Sequence, residues 1–174
     1  MNILESDKIK LRAPEPDDTD ILYEWENDPE IWLVSNTFTP FSKYFLGKYI
    51  RNSHHDIYHE KQLRLMIELK ENEKPIGTID IFDFDPYHSR AGVGILISSK
   101  EDRNKGYASE TLKLIINYLS EVLSLHQIYC NIPENNEASL KLFKDNGFKI
   151  VGEKKEWLKT SEGWISEYLL QLLC

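Results

Sequence analysis

Residues 103–109, Arg-Asn-Lys-Gly-Tyr-Ala-Ser, lie between an apolar run and an amphipathic run, and this junction constrains the chain more than any other stretch. The apolar run Val93-Gly94-Ile95-Leu96-Ile97 reads as a strand. Downstream, Leu112, Ile115, Ile116, Leu119 and Leu123 recur at i, i+3, i+4 spacing, which predicts a helix over 111–123. A strand, a short basic loop with one glycine and a helix therefore follow in order. A helix start presents unpaired N–H groups and the positive end of its dipole, and both favour a phosphate. Gly106 lets the backbone approach such a ligand closely, and Arg103 and Lys105 add positive charge. The stretch reads as a phosphate cradle. A plain helix entry with solvated Arg103 and Lys105 is the alternative left open locally.

Spacing narrows the ligand. The nucleotide P-loop needs a second glycine followed by Lys and Ser or Thr, which is absent. The dinucleotide fingerprint needs three glycines; Gly92 and Gly94 begin one, but Ile97 stands where the third belongs. What remains, Arg103-x-x-Gly106-x-Ala108, resembles the acyl-CoA pyrophosphate loop of the GNAT superfamily of N-acetyltransferases. A second segment, Asn136-Glu137-Ala138-Ser139-Leu140-Lys141-Leu142-Phe143 followed by Gly147-Phe148, resembles the same superfamily's Asn-x-x-Ala/Ser-x-x-Leu-Tyr…Gly-Phe pattern. The run Leu11-Arg12 through Asp17, Leu22, Trp25, Asn27 and Asp28 is similar to the ribosomal-protein and polyamine N-acetyltransferase branch.

The resemblance implies an α/β (α+β) fold: a mixed, mostly antiparallel central sheet flanked by helices, with two splayed parallel strands holding the CoA arm. It implies acetyl-CoA as cosubstrate. Arg103, Asn104, Lys105, Gly106, Tyr107, Ala108 and Ser109 would hold the pyrophosphate. Leu96, Ile97 and Ser98 would hold the pantetheine, with Asn136 and Phe143 beside it. The acceptor would be a primary amine: a polyamine, a protein N-terminus or an antibiotic amine.

Bulk properties agree. With 174 residues, a single domain over 1–174 is expected. The net charge of -8 argues against a nucleic-acid partner, whose grip rests on neutralising phosphates. It suits a cationic substrate, and equally it suits solubility alone. Cys130 and Cys174 do not make a disulfide framework, and no signal core or membrane-length run occurs, so a cytoplasmic protein off the membrane is expected. A homo-oligomer is left open.

Along the chain, Ile9, Leu11 and Ala13 read as a half-buried strand. Glu15 to Glu30 holds eight acidic residues and no basic ones; Ile21, Leu22 and Trp25 make it one amphipathic helix with an acidic face. That face is either merely solvated or a lip attracting cations. Ser42 caps a second helix carrying Phe45, Leu46, Tyr49 and Ile50. His54, His55 and His59 read as a surface loop, not a metal site. Strict alternation of Leu63, Leu65, Ile67 and Leu69 starts a meander continuing through 75–83 and 90–98. Gln127–Ile132 can run parallel to Val93–Ile97 after a helical crossover. Gly92 and Gly94 suggest a bulge or another backbone close by. Asn136 also suits an N-cap, Gly147-Phe148 a helix stop, and 151–159 with 164–172 a closing hairpin.

Acyl transfer to an amine sets the remaining requirements. An amine of pKa about 10.4 is only about one part in a thousand neutral at pH 7, a cost of about 4 kcal/mol. A thiol of pKa about 8.5 leaves unprotonated for about 2 kcal/mol. A base therefore matters more than an acid. Family members often place a Tyr acid where Phe143 stands, and some carry a Glu where Gly92 stands. Tyr129 and Tyr107 are the nearest substitute acids by sequence. Asp83, Asp85, His88 and Glu68 are the candidate bases. A catalytically idle acyl-CoA-binding module is the rival reading of the two departures.

Overall fold

The alternation over residues 63–97 builds the middle of the sheet. In the computed structural model, which describes residues 2–35, 37–52 and 56–174, Leu63–Leu69 (β2), Pro75–Asp85 (β3) and Arg90–Ile97 (β4) form the expected antiparallel meander. Ile9–Arg12 (β1) pairs antiparallel with β2. Gln127–Pro133 (β5), Lys149–Thr160 (β6) and Gly163–Leu173 (β7) complete a seven-stranded sheet ordered β1-β2-β3-β4-β5-β7-β6, in which β4–β5 is the parallel pair. The closing hairpin is present, and β7 sits between β5 and β6.

Thr19–Glu26 (α1), Pro29–Ser35 (α2), Lys43–Asn52 (α3) and Ile57–Glu60 (α4) precede the meander; Tyr107–Asn117 (α5) and Glu137–Asp145 (α6) follow it. Alternation along the strands sends side chains to two cores. Leu65, Ile67, Ile79, Ile81 and Val93 pack with Leu112, Ile115 and Leu119 and with Leu140 and Phe143. Met66, on the opposite face, packs with Leu22 of α1 and with Leu46 and Ile50 of α3. Both faces are therefore covered, and Glu68, Thr78 and Glu167 of the strand interiors are buried.

Three expectations change in detail. The acidic stretch is a 3₁₀ turn (Pro16–Asp18) and two helices, since Pro29 cannot extend the α1 hydrogen bonds and starts α2 instead. Parallel pairing covers only Arg90–Gly92 against Gln127–Tyr129, not Val93–Ile97. No bulge occurs at Gly92 or Gly94; the irregularity lies in β3 between Phe82 and Asp85, with Asp83 at φ 48°. Ser42 does cap α3, its Oγ accepting from the Phe45 N–H at 3.1 Å. His54 and His55 lie outside the described residues, and His59 is in α4 behind its N-cap Asp56. Among the described residues no helix is long and apolar enough to cross a membrane.

Candidate active site

Beyond Gly92 the two parallel strands separate. β4 stays with β3 up to Gly77↔Ile97, while β5 follows β7 to Pro133↔Glu167, so each strand turns with its own half of the sheet. The gap is a cavity of about 180 Å³ lined by Val93–Leu96 on one side and Cys130–Pro133 on the other, with Asn136 and Phe143 of the α6 segment at its wall. It runs into a larger cavity of about 690 Å³, the two sharing Glu26, Arg64, Asp80, Val93, Gly94, Asn131 and Pro133. One continuous cleft thus crosses the sheet at its split.

The basic loop closes one end of β4. Gly106 is the N-cap of α5 at φ +87°, a conformation a side chain rarely adopts, and nothing lies within 4 Å of where its Cβ would be. An exposed loop with open space over a helix start suits a phosphate group. Arg103 is tied down: its guanidinium donates to the Ile97 and Ser98 carbonyls at 3.1 and 3.2 Å. Lys105 stands 3.7 Å from the buried carboxylate of Asp102, which Lys74 also holds at 2.9 Å. Tyr107 packs against the main core, and Ser109 exchanges 3.2 Å hydrogen bonds with Asn146 at the end of α6. Asn104, at φ +61°, shapes the turn. Of Leu96, Ile97 and Ser98, only Leu96 lines the cleft.

Asn136 does both things its sequence position allows, capping α6 through the Ser139 N–H at 3.2 Å and facing the cleft. Phe143 is buried, edge-on to Phe148 with centroids 5.0 Å apart, and lines the cavity. A phenol is therefore missing from this wall of the cleft.

The other catalytic candidates do not meet there. Asp83, Asp85 and Tyr129 line a separate cavity, where the Tyr129 hydroxyl donates to Asp83 at 3.0 Å. Burial, then the Asp83 carboxylate, push the Tyr129 phenol up to about 12, so it holds its proton at neutral pH. Asp85 accepts from the His88 N–H at 3.0 Å, and that bond holds its carboxyl below the usual range. The exposed His88 ring stacks edge-on to Tyr87. Glu68 is buried but occupied by Arg12 and, at 3.0 Å, by Lys10. Alternation would send Asp83, three residues on from Asp80, to the opposite face and into the core; the β3 irregularity after Phe82 gives that place to Phe84 and sets Asp83 beside Tyr129, in the separate cavity.

Gly92 has a steric cause. A Cβ there would lie 2.2 Å from the Phe82 ring, so Phe82 fills the space a Glu at this position would need. The close neighbour is a side chain, not a backbone.

Sequence reasoning missed the charged centre of the cleft. Arg64 and Asp80 are cross-strand partners, and Asp80 is in turn opposite Gly94 at the split. Arg64 grips Asp80 with two bonds of 2.6 and 3.0 Å and also donates to Glu26 of α1. Burial pushes the Arg64 guanidinium down, but Asp80 and Glu26 outweigh it and hold the charge firmly. Glu167, also buried, lines the larger cavity beside Asn131 and Trp157. Phe41, Phe45, Tyr49 and Phe82 supply aromatic wall. The signal was the alternation itself: it places Arg64 and Asp80 on the face opposite Leu65 and Ile79, and a helix covers that face. Cys130, at the split, is pushed up to about 12 by burial and stays a thiol.

The comparisons with known proteins fit this geometry. The family described as acetyltransferase (GNAT) domain matches residues 8–149. An uncharacterized N-acetyltransferase p20 of Bacillus licheniformis is 29% identical over 99% of this chain and 97% of its own length. The spermidine N(1)-acetyltransferase of Escherichia coli K12 is 26% identical over 83% of this chain and 75% of its own. The crystal structure of spermidine N-acetyltransferase from Vibrio cholerae, in complex with CoA and spermine, superposes with a TM-score of 0.86. It shares 21% identity and covers 97% of this chain and 96% of that one. With the split sheet, the loop at α5 and the family match over most of its length, the chain belongs to the GNAT acetyltransferases, acyltransferases that use acetyl-CoA.

Proposed function

We propose that this acetyltransferase acylates a primary amine of a cationic, polyamine-like acceptor by direct attack on the thioester in a ternary complex. The observation that carries the reading is the charge of the cleft: among the described residues its lining holds three carboxylates, Glu26, Asp80 and Glu167, against the one guanidinium of Arg64. Aromatic rings line the same cavity as those carboxylates, which suits methylene segments between ammonium groups. The similarity to spermidine N(1)-acetyltransferase of E. coli supports the same substrate class.

In this reading Arg103–Ser109 and the α5 N-terminus bind the pyrophosphate, and Gly106 is the point of closest approach. The free edge of β4 past Gly92, with Leu96 and Asn136, binds the pantetheine. Acetyl-CoA supplies the activated acyl group; the chain binds, orients and excludes water. Asp80, next to the split, receives the acceptor's ammonium, and its proton passes to the cleft carboxylates or to water. No acid is needed for the thiolate, consistent with Phe143.

A panel of diamines, polyamines, matched monoamines, a peptide N-terminus and an aminoglycoside, assayed for CoA-thiol release, tests the proposal. Diamines and polyamines should give the highest kcat/KM. A preference for the peptide, or for uncharged amines, would overturn it.

A further inference from the structure

One intramolecular contact in the larger cavity imitates a bound substrate. The buried carboxylate of Glu167 is met by the ammonium of Lys154, which also donates to Asn131 Oδ1 at 3.0 Å and lies 4.9 Å over the Trp157 ring. A carboxylate, an amide oxygen and an aromatic face are the three groups that together recognise a primary alkylammonium. Glu167, Asn131 and Trp157 all line the cavity that joins the split. Their convergence has a local cause. The β6–β7 pairing shifts register between Lys154 and Leu158, with Glu156 at φ +48°, and this irregularity lies in the strand segment that carries Lys154 and Trp157. Lys154 itself is about one-third exposed, a flexible chain over a buried anion.

We propose that Glu167, Asn131 and Trp157 form the subsite for the distal ammonium of a di- or polyamine, and that Lys154 occupies it in the free protein as a built-in competitor. The inference rests on the cationic-acceptor reading and adds to it where the second charge goes. The acceptor's reacting amine lies at the split near Asp80, its far ammonium displaces Lys154, and Lys154 swings to solvent. Specificity is thereby set by a contest between a lysine of the chain and a charge of the substrate. A monoamine makes no claim on the subsite and does not enter the contest.

The test compares KM for 1,4-diaminobutane with KM for butylamine, measured on the same preparation so that loss of active protein cancels in the ratio. Lys154→Met should lower the ratio by about threefold or more, since an occupied site becomes vacant. Glu167→Gln should raise it by about tenfold, the order expected for losing one charge-assisted bond. Lys155→Met, on the exposed neighbour, removes the same charge without touching Glu167 and should leave the ratio as it is. If Lys154→Met raises the ratio or leaves it unchanged, or if Lys155→Met lowers it equally, the subsite is refuted and the pair is structural or a long-range charge effect. Should Lys154→Met fail to fold, Lys154→Gln reads the same ratio, keeping an N–H donor for Glu167. If the wild-type protein acetylates neither amine, the acceptor reading falls, and calorimetric titration of 1,4-diaminobutane into the CoA-bound protein and its Lys154→Met variant decides the subsite separately. Tighter binding to the variant supports it; equal or weaker binding removes it.

Discussion

Replacing Arg64 by Met is the sharpest probe of the cleft. The substitution keeps the length and apolar stem of the side chain and deletes three charge-assisted hydrogen bonds, two to Asp80 and one to Glu26. It leaves two carboxylates facing one another with no cation between them. Removing one partner of a fully buried ion pair costs about 3–5 kcal/mol. The three side chains here keep 21%, 33% and 16% of their surface, so water offsets part of that cost and about 2–3 kcal/mol is the reasoned figure. For a chain of this size each kcal/mol moves the unfolding midpoint by about 2–4 °C, giving a fall of about 4–12 °C. Scanning calorimetry of Arg64→Met, Asp80→Asn and the double variant measures it. Asp80→Asn in the Arg64→Met background should cost less than in the wild type, because there it removes a stranded charge instead of breaking an ion pair. The coupling between the two sites should exceed about 1 kcal/mol. A midpoint within 2 °C of wild type, or two substitutions that simply add, would refute the claim that this arginine organises the cleft.

Gly106→Glu should abolish acetyl-CoA binding by calorimetry while the fold persists, because a strained side chain and a negative charge meet the phosphate; unchanged affinity would remove the loop from the site. Phe143→Tyr should change kcat by less than about tenfold, since thiolate departure costs only about 2 kcal/mol without an acid, and both proteins should speed up as pH rises and the amine loses its proton. A thousandfold gain would show an enzyme crippled for want of an acid. Burial raises the Asp18 carboxyl but Arg12 outweighs it, and the same holds for Glu68 with Arg12 and Lys10, so both sit below their ordinary values in the folded chain. Their stabilisation is therefore complete above the ordinary carboxylate range and is lost as pH falls through it and below. Arg12→Met should flatten the acid limb of a stability-versus-pH curve, and an unaltered limb would contradict the assignment.

The parts of the fold read from the sequence were those carried by local pattern. Alternation from Leu63 to Leu69 marked the meander, and Gly147-Phe148 marked the end of α6, where the Phe148 N–H returns to the Phe143 carbonyl at 3.1 Å. The loop at Gly106 was legible because glycine at positive φ and a helix start are both local. The cleft was not, because its charges come from α1, β2, β3 and β7, far apart in sequence. Of the eight acids between Glu15 and Glu30, Asp18 pairs with Arg12, Asp20 with Lys43, Glu26 with Arg64 and Glu30 with Lys100. A count of charges showed an acidic lip; the folded chain spends half of it on internal pairs. Asp83 misled for a related reason. Plain alternation puts it on the core face, opposite Asp80, and only the irregularity after Phe82 turns it out to Tyr129 and the other cavity.

The two departures from the family pattern have one physical consequence between them. Phe82 occupies the space beside Gly92, and Phe143 is buried against Phe148, so both places where a proton-transfer group could stand are filled by rings. A ring neither accepts nor donates the proton, so on the proposed reading an ammonium held beside Asp80 loses its proton to the cleft carboxylates or to water. The expensive step is stripping a proton from the amine, at about 4 kcal/mol at pH 7, whereas the leaving thiolate asks for half as much. On the proposed reading the ionisable groups of the cleft, Asp80, Glu26 and Glu167, stand on the amine's side. The chain thus concentrates its charge where the larger barrier lies and packs hydrocarbon where the smaller one does. An acceptor that arrives as a cation and reacts as a neutral amine is the substrate for which that division is useful.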